Sequence, residues 1–120
     1  MSDDEVVVPS RPLSEVKAEL FKALGHPARV RVLEVLTGGE HAVSDLQPLV
    51  GIESSHLSQQ LGVLRRAGLV TNRKEGSSVI YTLSDPLVAD VLEVAKQLLR
   101  ARLEGTRDLL SDLTPGARAS

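Results

Sequence analysis

The sequence predicts a mainly α domain carrying one small β-hairpin, and three observations predict it. Apolar residues recur at helical spacing in separate stretches, Leu57, Leu61 and Leu64 at i, i+4 and i+7 among them. A β-rich pair, residues 69–73 and 79–83, follows that helix around Lys74-Glu75-Gly76-Ser77-Ser78, a turn-forming loop in which Gly76 supplies a positive φ. The first and last helices are richer in leucine and valine than a small core covers, which predicts a two-fold dimer across them. A chain of 120 residues suits one domain. The expected organisation is an arm at 1–12, a domain at 13–113 and a tail at 114–120.

Taken in order, residues 1–12 combine acids, two prolines and no helical period, so a mobile arm is expected, with Val6-Val7-Val8 able to clip onto a second subunit. Leu13, Val16, Leu20 and Leu24 give the first helix, ended by Gly25. Pro27 suits the first turn of the second, residues 28–36, which Gly38-Gly39 breaks. His41 falls in a loop. Residues 43–49 form a short third helix, with Val43, Leu46, Leu49 and Val50 facing inward and Gly51 turning the chain. If Ser44 or a neighbour is the N-cap, Pro48 lies near the end of the first turn and removes about one backbone hydrogen bond. The fourth helix, 54–67, is stopped by Gly68 in a left-handed conformation. Beyond the hairpin Asp85 can cap, and Pro86 can open, a long last helix. Its apolar face runs through Leu87, Val91, Val94, Ala95, Leu98, Leu99 and Leu103, then past a weak point at Gly105 to Leu109, Leu110 and Leu113. The dimer seam is assigned to Leu13, Val16, Leu20, Val91, Leu98 and Leu99, and a disordered tail is expected from Thr114.

Away from its leucine stripe the fourth helix carries Ser55, His56, Ser58, Gln59, Gly62 and Arg66. These side chains are short and rich in donors. Such a face suits base edges in the major groove of double-stranded DNA, where glutamine can bond adenine bidentately and serine reaches most bases. With that helix in the groove, Arg73 and Lys74 form a basic hairpin tip beside the phosphate backbone, adding affinity rather than sequence choice. Loss of Arg73 is then expected to lower the salt slope by about 0.9. The candidate DNA-contacting set is Ser54, Ser55, His56, Ser58, Gln59, Arg65, Arg66, Arg73, Lys74, Ser77 and Ser78.

A formal net charge of −2 looks wrong for such a surface until the charges are placed. Residues 1–20 hold five acids and two bases, 21–52 three of each, 53–83 two acids and four bases, and 84–120 six acids and five bases. The basic excess lies only on the proposed reading unit. One Phe and one Tyr argue against base stacking on single strands or RNA. With no cysteine, disulfides, thiolate metal sites and cysteine redox sensing are excluded. No apolar run approaches the roughly 20 residues of a membrane span, and the start is acidic, so a cytoplasmic location is expected. His41, Ser44 and Asp45 are close in sequence, but neighbours on a helix diverge, and neither a nucleophile elbow nor a phosphate-cradling glycine loop is present. An enzyme is not expected. The alternative to a DNA reader is a protein-interaction module or co-regulator, whose interface would favour aromatic and arginine anchors over these small polar groups.

Together the helix pair and hairpin resemble a winged helix-turn-helix. Ser55-His56-Leu57-Ser58-Gln59-Gln60-Leu61 followed by Val63-Leu64-Arg65-Arg66-Ala67-Gly68-Leu69-Val70 is similar to the recognition-helix signature of the ArsR/SmtB repressors, and Tyr81-Thr82-Leu83 to the end of their wing. The stretch from Phe21 to Leu33, FKALGHPARVRVL, resembles the family's second signature. The resemblance covers the contiguous stretch 21–83, and two motifs at the right separation are far more specific than either alone. The resemblance implies a homodimeric repressor of an operator, released by an effector.

The family's two metal-site types do not carry over. The Cys-x-Cys arrangement of the third helix maps onto Ala42 and Ser44, and the Asp, two His and Glu of the last helix map onto Asp85, Leu87, Leu98 and Ala101. One ligand of the second set survives. No two of His26, His41 and His56 stand i, i+3 or i+4 apart, which excludes a histidine pair on one helix. The expected signal is a small molecule, a partner protein or the protein's own abundance. If a metal binds, Asp3, Asp4 and Glu5 of the acidic arm are the weak candidates. An all oxygen and nitrogen site there suits Ni²⁺ or Zn²⁺.

Overall fold

The structure is a computed structural model that describes residues 11–113. Its elements run α1 (Leu13–Leu24), α2 (Pro27–Leu36), β1 (His41–Ala42), α3 (Val43–Val50), α4 (Ser54–Arg66), β2 (Val70–Glu75), β3 (Ser78–Leu83) and α5 (Pro86–Leu113). The chain divides into two compact units, one up to Ser84 and one from Asp85.

In the first unit the apolar spacing works as expected. Leu57, Leu61 and Leu64 of α4 are buried together with Val32 and Leu33 of α2, Leu46 of α3 and Val70 of β2. Burying each such leucine contributes about 1.5–3 kcal/mol, and here that gain fixes where α4 lies. α2 opens on Pro27 at its first position, with the His26 ring Nδ1 accepting from the Ala28 N–H at 3.1 Å, so one orphan donor of the helix start is satisfied. Gly51 (φ 79°) and Gly68 (φ 79°) close α3 and α4 in the left-handed region, where a side chain would be strained. The first of these lets α3 and α4 succeed each other within three residues.

Several expectations change. The hairpin is part of a three-stranded sheet of order β1-β3-β2, because His41, expected in a loop, and Ala42 pair antiparallel with Tyr81 and Ile80. The hairpin strands are also longer than expected, with Glu75 opposite Ser78 and only Gly76 and Ser77 in the turn. Gly76 takes φ 62° there, where a tight two-residue turn places glycine. α3 begins at Val43 with Ala42 as a cap lacking a side-chain bond, so Pro48 falls in the second turn rather than the first. Its missing N–H leaves the Ser44 carbonyl without its helical donor. Leu49, expected inside, is 58 % exposed, since Leu46 and Val50 alone occupy the inward side of this short helix.

In the second unit Asp85 caps as expected, its Oδ1 accepting from the Leu87 N–H at 2.8 Å. α5 then runs unbroken through Gly105 for 28 residues, so the expected weak point does not interrupt it. Val91, Val94, Leu98, Leu99, Leu103, Leu109 and Leu110 are exposed along it. No helix among the described residues is long and apolar enough to cross a membrane.

Candidate nucleic-acid interface

α4 is fixed in place by polar bonds as well as by its leucines. The half-buried Arg29 of α2 donates from Nε to the Ala23 carbonyl (2.6 Å) and from Nη2 to the Lys22 carbonyl (3.1 Å), the two at the C-terminal end of α1. From Nη1 it reaches Gln60 Oε1 of α4 at 2.9 Å. Gln60 is 7 % exposed, so one guanidinium joins α1, α2 and α4 through a buried amide. Arg31 Nε donates to the Val50 carbonyl at the end of α3 (3.2 Å), and Ser54 Oγ donates to Gln47 Oε1 (3.0 Å) across the turn between α3 and α4. Sequence reasoning passed over Arg29 and Gln60. The available signal was position, because Gln60 stands three residues after Leu57 and four before Leu64, on the buried stripe.

Between α3, α4 and the hairpin lies an open groove of about 720 Å³. Ser44 and Gln47 of α3, Ser54 and Ser58 of α4, and Asn72, Ser77, Ser78, Val79 and Tyr81 of the hairpin line it. The expected contacts Ser54, Ser58, Ser77 and Ser78 therefore converge, and Ser44, Gln47 and Asn72, outside the expected DNA-contacting set, join them. Ser55, Gln59 and Arg66 are exposed on the next strip of α4, spaced i, i+4 and i+11, and Arg65 is exposed beside Ser58. Arg66 folds back over Gly62, where a Cβ would stand 3.2 Å from its Nη1.

Two expected contacts are differently engaged. His56 is half-buried with its ring edge-on to His26, centroids 5.9 Å apart, so it turns toward the start of α2 rather than standing free on the polar face. The fold thus pairs two imidazoles that sequence spacing kept apart. Arg73 does not give the hairpin a free cation. Its Nη1 and Nη2 bond Glu40 Oε1 and Oε2 at 2.9 and 3.0 Å, and its Nε and Nη2 bond Glu75 Oε2 at 2.9 and 2.8 Å. These charge-assisted bonds, Glu40 first and Glu75 second, raise the guanidinium's pKa further above its ordinary value. Those from Arg73 hold the Glu40 carboxyl below the usual carboxylate range. Lys74 has no ion-pair partner among the described residues.

Among the described residues no group of three or more histidine, cysteine, aspartate or glutamate side chains could hold a metal ion. Asp3, Asp4 and Glu5 lie outside the described residues, as do Val6-Val7-Val8 and the tail from Thr114.

A three-helix core in which α3 and α4 form a helix-turn-helix, followed by a β-hairpin beside α4, is a winged helix-turn-helix. The helix-turn-helix domain family matches residues 24–73. The HTH-type transcriptional regulator Rv0081 of Mycobacterium tuberculosis is 47 % identical over 112 residues, 92 % of this chain and 98 % of its own length. Its crystal structure superposes with a TM-score of 0.73 at 50 % identity, covering 82 % of this chain and 98 % of that one. The HTH-type transcriptional regulator NmtR of the same organism is 41 % identical over 91 residues, 72 % of this chain and 76 % of its own. The homodimeric winged helix-turn-helix DNA-binding domain of Mb0332 from Mycobacterium bovis, a possible ArsR-family regulator, matches with a TM-score of 0.71 at 26 % identity, covering 82 % and 95 %. The chain belongs to the ArsR/SmtB family of winged helix-turn-helix transcriptional regulators.

Proposed function

We propose that the protein is a homodimeric repressor that reads an imperfect palindrome in double-stranded DNA. The observation that carries this reading is the groove between α4 and the wing, on which serine, glutamine and asparagine side chains from three elements converge. α4 enters the major groove, Ser55, Ser58 and Gln59 meet base edges, and one phosphate strand follows the groove past Ser54, Ser77 and Ser78. Arg65, Arg66 and Lys74 neutralise backbone charge. Arg73 is committed to Glu40 and Glu75 and is left out of the contact set. The second copy covers the apolar residues exposed on α1 and α5, Leu98 at 60 % and Leu99 at 58 % among them. Half-sites then lie about 10 base pairs apart, or a multiple of that, centre to centre. Because the family's metal ligands are replaced at Ala42, Ser44, Leu87, Leu98 and Ala101, the signal is a small molecule, a partner protein or protein abundance, with a metal at Asp3, Asp4 and Glu5 of the acidic arm as the weaker alternative.

The test is a footprint and a titration with Gln59→Ala. The variant is expected to keep the footprint's extent and non-specific affinity while losing about 1–3 kcal/mol of discrimination at one position of each half-site. Unchanged base preference together with full affinity would remove α4 from the reading role.

A further inference from the structure

Strand alternation assigns the two wing cations to opposite faces. In β2, Asn72 and Lys74 alternate with Thr71, Arg73 and Glu75. Directly opposed residues of an antiparallel pair share a face, which puts Asn72 with Tyr81 and Lys74 with Val79 on one side. Arg73 with Ile80 takes the other. Asn72, Val79 and Tyr81 line the groove beside α4, and Asn72 Nδ2 donates to the Tyr81 hydroxyl at 3.1 Å there. Lys74 belongs to this groove face. Glu40 is held with Arg73 on the opposite face by their two hydrogen bonds, although Ala42, two residues further on and paired with Ile80, still reaches the groove lining.

On that opposite face Arg73 has little left to offer a phosphate. Four of its five N–H groups are donated, two to Glu40 and two to Glu75. One cation between two carboxylates is a net negative cluster, which repels a phosphate rather than binding it. What the cluster does is mechanical. With strand order β1-β3-β2, the bidentate bond from Arg73 to Glu40 crosses β3 and ties the wing strand β2 to the segment just ahead of β1.

We propose that Glu40 is a positioning residue for DNA binding, bracing the wing through Arg73 from the face turned away from the groove and leaving the wing's phosphate contact to Lys74. This rests on the reading of the groove as the DNA-facing surface.

The experiment measures affinity for a mixed-sequence duplex as a function of salt, in the full chain. Lys74→Ala is expected to lower the slope of log affinity against log salt by about 0.9, the loss of one phosphate contact. Arg73→Ala and Glu40→Gln are expected to weaken binding a few-fold and equally, with the slope unchanged. The charge swap Glu40→Arg with Arg73→Glu is expected to restore wild-type affinity, which no arginine required on a phosphate would allow. A lowered slope in Arg73→Ala, a raised affinity and slope in Glu40→Gln, or failure of the swap would overturn the brace. If the wild-type protein binds no duplex, the DNA reading itself falls. The brace is then judged by backbone amide relaxation of residues 74–78 in the free protein. Order there is expected to fall in Glu40→Gln and return in the swap, and order unchanged by Glu40→Gln would dispose of the proposal.

Discussion

Arg29 does not line the groove, yet it helps to hold α4 in place. Its fork satisfies the carbonyls of Lys22 and Ala23 and the buried amide oxygen of Gln60. Truncation leaves all three without that donor, so Arg29→Ala is expected to lower stability by about 1–3 kcal/mol. Arg29→Lys should recover little of it, because a point-like ammonium cannot span three acceptors. A urea midpoint that falls with an unchanged m-value would bear this out, and a change within about 0.5 kcal/mol, as for a surface site, would refute it. At this scale the sequence was legible where one period governed, as with Leu57, Leu61 and Leu64. It was illegible where partners were distant. Arg73 and Glu40 are separated by 33 positions, so nothing local announced that the wing arginine was paired.

Among the elements, the helices could be read because caps and apolar spacing agreed: Pro27 at the start of α2, Gly51 and Gly68 after α3 and α4, and Asp85 and Pro86 opening α5. β1 could not. A strand of two residues has no alternation to detect, and its pairing of His41 with Tyr81 joins positions far apart in the chain. The sequence locates the wing but not the full length of its strands, since Lys74, Glu75 and Ser78 are polar and exposed and offer no contrast between faces. α3 shows the reverse case. Leu49 belongs to an apolar run, yet a helix of eight residues buries only Leu46 and Val50, so hydrophobicity without phase misplaced it.

The whole molecule has apolar surface in excess of what one chain covers, on α1 and along α5. If a second copy covers it, Leu98→Glu places an unpaired charge in the seam at a cost of several kcal/mol and is expected to give monomer or aggregate by light scattering. A dimer of undiminished strength would move the seam away from Leu98. Dimerisation and reading are linked, because a two-fold protein imposes its symmetry on the site it prefers. In a symmetric pair, α4 and the wing of each copy are expected to read one half-site. Selection from a random duplex pool, followed by sequencing of the retained molecules, tests this directly. Wild-type protein is expected to enrich an inverted repeat with half-sites about 10 base pairs apart, or a multiple, and Gln59→Ala to lose preference at one position in each half. Enrichment of no motif, or of a single unrepeated one unaffected by Gln59→Ala, would contradict it.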